Sequence, residues 1–321
     1  MDGLRGLGIG AVLYQPGAQP EVLVLSKRYD PVSLAQAETL KQQFNTRVVL
    51  DLCDNHFHVN DGSPEAVQRA AKLDAAVASV DQVISSTAYL AEIIRARPQM
   101  NAPVSVVEDL VEYPRDAHII EKLRHPRRHL EFKRLRAWLQ QTTPDRRHRL
   151  VWFGNHGGGF ADSGMNDLRR IQPILERVRQ HVPISLTVIS NSSEKYEALV
   201  RDWTLPTYYL EWNETFISQA LRLHGISVIP ISSNPFTLAK SPNRVETSLV
   251  HGLGVVADRI PSYDKYHASA YLDDWQTGML ELLRGEGTKQ SLLPLDFRHQ
   301  NEAVIALWRD VLQGSIAPRS P

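Results

Sequence analysis

KSPNRVETSLVHGLGVVAD, residues 240–258, crowds Lys240, Asn243, Arg244 and Glu246 into one opening turn, then runs through an apolar helical stretch into a glycine turn and a β-branched run. Ser241 is placed to cap a helix, Pro242 suits its first position, and Gly252 suits its end, so the spacing predicts a helix over 242–251 followed by a strand at 254–258. Asn243 and Glu246 lie three apart and share a face, while Lys240 and Arg244 flank the positive helix end. A helix that only covers a sheet has no need of such an opening. Donors and cations gathered there suit a diphosphate, and a carboxylate one turn in suits a pair of sugar hydroxyls. The competing reading is an exposed amphipathic helix with a surface ion pair.

Working outward, short β-branched runs alternate with segments of helical spacing, the pattern of parallel sheets covered by helices. Strands are predicted at 22–26, 47–52, 82–86 and 104–108, and again at 149–154, 184–190, 207–212 and 227–231. Helices are predicted for SLAQAETLKQQF, SPEAVQRAAKLDAAVASV and TAYLAEIIRA in the first half. In the second half they are NDLRRIQPILERVRQ, SEKYEALVRDW, ETFISQALRLHG, DDWQTGMLELLRG and NEAVIALWRDVLQ. Ser63 caps the second of these with Pro64 in its first position. LRGLGIGAVLYQ reads as a helix with no strand before it, so either the true start lies upstream or VLVLS takes the first strand's place.

A chain of 321 residues is comfortable for two domains. The segment 113–149, charged and broken by Pro114, Pro126 and Pro144 around a helix at LEFKRLRAWLQ, marks the boundary. The expected division is a Rossmann-like domain over 1–114, a basic linker and helix over 115–148, and a second Rossmann-like domain with C-terminal helices over 149–321. Net charge is zero with 22% charged and 42% hydrophobic residues, which argues against wholesale disorder and against a generally basic nucleic-acid binder. Lys122 to Arg149 nevertheless holds ten Lys or Arg against Glu131 and Asp145. That segment is either a solvated linker and helix face or a patch for an anionic membrane surface or polyanionic acceptor. Cys53 is the only cysteine, which excludes an internal disulfide and fits a reducing compartment. No run approaches the ~20 apolar residues of a membrane span and no signal peptide opens the chain. The expectation is a cytoplasmic protein that at most touches the inner membrane face.

In doubly wound sheets, ligands bind beyond the carboxyl ends of the strands. Two more such junctions stand out. GNHGGGF, 154–160, follows a strand with glycines that permit close backbone approach to a phosphate, against the reading of a flexible turn. DLCDNHFHVND, 51–61, follows a first-half strand and offers Asp54, His56 and His58 as bases for deprotonating a hydroxyl. Structural hydrogen bonding and, less well supported by the spacing, a zinc site compete with that role. Cys53 lacks an activating motif.

NRVETSLVHGLGVVAD resembles the donor-binding segment of GT-B glycosyltransferases of the group 1 type, in which a Glu precedes by six positions the Gly of a G-x-P-V-V-like turn. Glu246, Gly252, Val255 and Val256 match that spacing. The resemblance covers most of residues 20–270, is strongest over 227–264, and implies an α/β fold of two doubly wound Rossmann-like domains facing a cleft. It implies a hexosyl transfer from a nucleotide sugar, used as co-substrate with no metal or other cofactor, to a glycan, lipid-linked or other hydroxyl acceptor, as in polysaccharide biosynthesis. Gly154, Asn155, His156 and Gly157 would lie near phosphate, Asn191, Leu210 and Trp212 near the donor at the next strand ends, Lys240, Asn243 and Arg244 on the diphosphate, and Glu246 on ribose. The sequence departs from the pattern in three places. Leu238 stands where many retaining members have a first Glu, FADSGMND lacks the Arg and Lys that hold the diphosphate, and Gly254 stands where Pro is common. Lys240 or Arg244 would then substitute for the missing cations. A sugar-nucleotide 2-epimerase and a degenerate GT-B binding module share the same plan.

Overall fold

The computed structural model describes residues 2–60, 62–116, 123–157, 163–287, 289, 290, 292 and 294–316. Its contacts divide the chain into two compact units. One is Met1–Leu110 with Asn234–Ser241 and Arg298–Pro321; the other is Val111–Ser233 with Pro242–Phe297. The expected 149–321 block therefore gives up two segments to the first unit, and the basic stretch joins the second. Lys122 lies outside the described residues.

The first unit is a parallel sheet of β1 (Val22–Ser26), β2 (Arg47–Leu52), β3 (Gln82–Ser85) and β4 (Val104–Val106), paired in sequence order. Helices α2 (Pro31–Phe44), α3 (Pro64–Ser79) and α4 (Ala88–Arg95) make the crossovers. Right-handed crossovers in one direction along a sheet put successive helices on one face, and the strand residues divide accordingly. Val48, Leu50 and Leu52 pack with Leu40, Leu73 and Leu90 of those helices. Val49 and Ile84 turn the other way and pack with Val304, Trp308 and Val311 of α12 (Pro294–Ile316). Each such side chain taken out of water contributes about 1.5–3 kcal/mol. All three crossover helices start on polar caps: Asp30, Ser63 and Thr87 accept from the amides of Ser33, Ala66 and Leu90. The opening helix is shorter than the sequence suggested. It covers only Asp2–Gly6 (α1), and Gly8, at φ 81°, turns the chain out of the helical region.

The second unit is a six-stranded parallel sheet of β5 (Arg149–Phe153), β6 (Ser185–Ser190), β7 (Thr207–Glu211), β8 (Ile226–Ile229), β9 (Gly254–Ala257) and β10 (Tyr271–Leu272). Their order is β10-β9-β8-β5-β6-β7, so the winding reverses between β5 and β8. On one face Leu150, Trp152, Leu186 and Val188 pack with Leu168, Ile171 and Leu175 of α6 (Leu168–Arg179) and Met279 of α11 (Trp275–Arg284). On the other, Val151 and Ile189 pack with Leu135 and Leu139 of the basic helix α5 (Pro126–Thr142) and Leu221 of α8 (Ile217–Leu221). α7 (Ser193–Val200) joins β6 to β7, and α10 (Asn243–Val250) joins β8 to β9 after a return through the first unit, where α9 (Pro235–Leu238) lies. No described helix is long and apolar enough to cross a membrane.

Candidate functional site

The reversal between β5 and β8 is a topological switch point, and in open parallel sheets ligands usually bind beyond the carboxyl ends of the strands at such a point. Gly154 ends β5, donating to Ile189 O at 3.1 Å and accepting from Ser190 Oγ at 2.8 Å. A Cβ at Gly154 would sit 3.3 Å from the Trp152 ring and 3.6 Å from Arg244 Nη1. Asn155 Oδ1 accepts from the Gly157 amide at 3.0 Å, and Asn191 Oδ1 receives the His156 amide at 3.0 Å and lies 2.9 Å from its Nδ1. Gly157 has φ 82° and Gly164 φ 86°, and a Cβ on either would collide with the other's backbone neighbourhood. Residues 158–162, which complete the expected glycine loop, lie outside the described residues.

Asp167 holds the far side of this loop: its Oδ2 accepts from Gly164 N at 2.9 Å, and its Oδ1 accepts from Ser232 N at 3.1 Å and from Ser232 Oγ. Burial raises its pKa, opposed by the Ser232 hydrogen bond and by the charge of Arg244. Burial raises the pKa of Tyr263, opposed by the charge of Arg244. Lys195, in the first turn of α7, donates to Gly157 O at 3.0 Å. Arg244 and the loop therefore meet. Asp167, Lys195, Ser232 and Tyr263 were not singled out by sequence reading. Lys195 had a signal, a cation just after the strand end that carries Asn191.

α10 differs from expectation at its start. Pro242, not Ser241, holds the cap position and no side chain caps the first amides, which leaves that end suited to an anion. Asn243 stands exposed in the first position. The end is as expected: Gly252, at φ 70°, lets Leu253 N reach Ser248 O and Gly252 N reach Leu249 O. Glu246 is 1% exposed, its Oε1 accepting from Tyr266 Oη at 2.5 Å and lying 3.2 Å from Lys265 Nζ. Both partners come from the 3-10 turn Pro261–Tyr266, which sequence reading missed. At the β7 end, Leu210 is buried and Trp212 is half exposed, its amide donating to Ser190 O at 2.7 Å.

Lys240 is the clear correction. It belongs to the first unit, where Asp54 Oδ1 is 2.5 Å from its Nζ and Asp54 Oδ2 is 3.3 Å from Lys27 Nζ. Burial opposes ionisation of Asp54, but the charge and hydrogen bond of Lys240, then Lys27 and His56, hold its pKa down at about 2. A carboxylate so committed is a weak base. His56 differs: burial lowers its pKa, so the imidazole is neutral at neutral pH. Its Nδ1 lies 2.7 Å from Tyr29 Oη and its ring stacks on Phe236 of α9, centroids 6.3 Å apart. Asn55 Nδ2 ties the same segment by donating to Pro235 O at 2.9 Å. His58 accepts from Arg69 Nη2 at its carbonyl, 3.2 Å, and buries its Nε2 with no hydrogen-bond partner. Burial pushes the Cys53 thiol up to about 11, which leaves it inert as a nucleophile. Among the described residues no three His, Cys, Asp or Glu converge as a metal group.

No protein-family model matches the sequence, and no curated protein matches it either. Solved structures do. S. aureus TarM, in complex with fondaparinux, alpha-GlcNAc-glycerol and UDP, superposes with a TM-score of 0.58 at 11% identity over 88% of this chain and 54% of its own. The chain thus spans about half the length of that protein. Sucrose-phosphate synthase from Thermosynechococcus elongatus gives 0.58 at 16% identity over 92% and 73%. An alpha,alpha-trehalose-phosphate synthase (UDP-forming) from Burkholderia vietnamiensis gives 0.54 at 13% over 91% and 73%. Likeness at such identities is a statement about architecture. With its two parallel sheets and a switch point in the second, this chain has the fold of the GT-B glycosyltransferases.

Proposed function

We propose that the protein transfers a hexosyl group from a nucleotide-sugar donor to a hydroxyl acceptor, with the donor on the second unit and the acceptor on the first. The observation that carries the reading is the meeting of Arg244, the Gly154–Gly157 loop and the uncapped start of α10 at the strand switch point. There the leaving diphosphate receives backbone amides, a helix end and a guanidinium, which stabilise the charge that develops as the glycosidic bond to the donor breaks. Asn155, His156 and Asn191 shape that loop, and Leu210 and Trp212 flank the nucleobase. Glu246 serves the ribose hydroxyls, with Tyr266 and Lys265 setting the orientation of its carboxylate. Lys240 acts instead through Asp54, and Asn243 is a secondary donor at the helix start.

In the first unit His56 is the base that takes the acceptor proton. Asp54 is a positioning charge rather than a proton acceptor, and His58 shapes the same loop. The acceptor is a glycan or a lipid-linked or other small hydroxyl compound. Contact with an anionic membrane surface through the exposed cations of α5, among them Arg127, Lys133, Arg134 and Arg136, goes with the lipid-linked case.

The test is a thermal-shift titration with UDP, GDP and their sugars, because a ligand of the folded state raises the melting temperature. One nucleotide diphosphate should raise it by several degrees, and Arg244→Ala should abolish the shift. No shift with any nucleotide diphosphate overturns the reading. Incubation with donor alone separates transfer from 2-epimerisation, which needs no acceptor.

A further inference from the structure

A pocket of about 490 Å³ opens in the first unit between the turn after β1 and the N-terminal half of α3, a size within the range of small-molecule sites. Lys27, Arg28, Arg69 and Lys72 line it against only Asp30 and Glu65. The two carboxylates offset part of that charge and leave an excess of two cations, four less two. Asp30 spends both oxygens on Ser33, from whose amide and hydroxyl it accepts at 2.9 and 2.7 Å as the cap of α2. Glu65 stands in the first turn of α3, where a negative charge answers the helix dipole. Arg28 and Lys72 form no ion pair among the described residues. Lys27 shares the single carboxylate of Asp54 with Lys240, so that trio carries a surplus positive charge, and half of the Lys27 side chain faces water. The pocket is therefore an open, cation-rich concavity.

Its back wall joins the candidate base. Tyr29 lines the pocket, and its hydroxyl lies 2.7 Å from His56 Nδ1. Arg69 reaches from the same wall to the carbonyl of His58. A molecule seated among these four cations would thus sit one side chain away from the imidazole assigned to its hydroxyl. Electrostatics favours an anion there, and two guanidiniums beside two ammoniums suit the several oxygens of a phosphate better than the two of a carboxylate.

We propose that this pocket is a phosphate subsite: the acceptor is a phosphorylated hydroxyl compound, held by Lys27, Arg28, Arg69 and Lys72 while Tyr29 and His56 meet its hydroxyl end. The assignment of the acceptor rests on the transfer reading above; the phosphate site itself does not. Binding spends no covalent step, so the site is testable without turnover.

The test is calorimetric titration of the full chain with glucose 6-phosphate, inorganic phosphate and glucose, alongside the nucleotide diphosphate selected by thermal shift. Sugar phosphate should bind at least about tenfold more tightly than the unphosphorylated sugar. Arg28→Ala with Lys72→Ala, both outside the base and donor clusters, should weaken it by about tenfold or more and leave nucleotide affinity unchanged. Sedimentation with phosphatidylcholine vesicles carrying phosphatidic acid, with and without the double substitution, distinguishes a lipid phosphate from a soluble one. Loss on substitution in either arm supports the subsite and names its source. Binding in neither arm, or binding indifferent to the substitutions, overturns it. Phosphate binding without any nucleotide binding keeps the subsite and removes the donor reading.

Discussion

Asp54 and His56 stand two positions apart in one loop and have opposite proton chemistry because their neighbours differ. Two ammonium groups converge on Asp54, whereas His56 has a phenol and a phenyl ring. His56→Ala is therefore expected to lower kcat by about 100-fold or more, the usual contribution of a general base, with nucleotide affinity unchanged. Equal loss of both would assign His56 to folding instead. Asp54→Asn should cost about 1–2 kcal/mol in urea unfolding at pH 7, less than a fully buried pair because both lysines keep a third or more of their side chain in water. The folded pKa of Asp54 lies near 2, below that of an unfolded aspartate. Its contribution is present above about pH 4 and lost as the pH falls toward 2, so the substituted and natural proteins should converge in acid.

Among the elements, the loop pinned by Gly157 and Gly164 and the start of α10 decide how the carboxyl ends of β5 and β8 are built up. Gly157→Ala places a side chain at φ 82° against the Ser163 carbonyl. It should weaken nucleotide binding by tenfold or more, since the loop cannot close on Asp167, with strain of about 1–3 kcal/mol. Circular dichroism of the variant should be unchanged, because the strained positions lie outside the sheet. These elements also mark the limits of reading the sequence. Strands such as Val22–Ser26 and Arg47–Leu52 fall where β-branched alternation put them, and Gly252 ends its helix as its position foretold. The pairing of Lys240 with Asp54 was not legible, because the two lie 186 positions apart and no local spacing reports such a pair. Tyr263, Lys265 and Tyr266 were likewise hidden, since a six-residue 3-10 turn has no periodic signature. The cap was misjudged by one position: Ser and Pro in succession fit two cap registers, and the helix starts with Pro242 rather than Ser241 in the cap position.

For the molecule as a whole, stability in mild acid should be governed by buried imidazole. His224 is fully buried in the second unit, with Nδ1 2.8 Å from Ala220 O and Nε2 2.7 Å from Thr187 Oγ1. That pattern suits one neutral tautomer, donating to the carbonyl and accepting from the hydroxyl. Burial pushes its pKa down to about 3, opposed by the Ala220 carbonyl and reinforced by Arg149. The folded value lies below the unfolded one of ~6.5, so this stabilisation is complete above pH 6.5 and lost as the pH falls toward 3. Unfolding free energy should fall by about 1.4 kcal/mol per pH unit across that window from this group alone. His224→Gln should flatten the slope while lowering stability at pH 7; an unchanged slope would show that other groups set it.

The second face of the β1–β4 sheet is closed by α12, whose residues follow those strands far along the chain. On a ribosome the four strands emerge early, yet Val49 and Ile84 must wait for Val304 and its neighbours before they leave water. At 5–20 residues per second that delay is roughly 10–50 s, long enough for a half-covered sheet to meet another nascent chain. Holdase capture of stalled chains ending near residue 290, and release once residues 294–316 have left the ribosome, is the behaviour expected of this late closure.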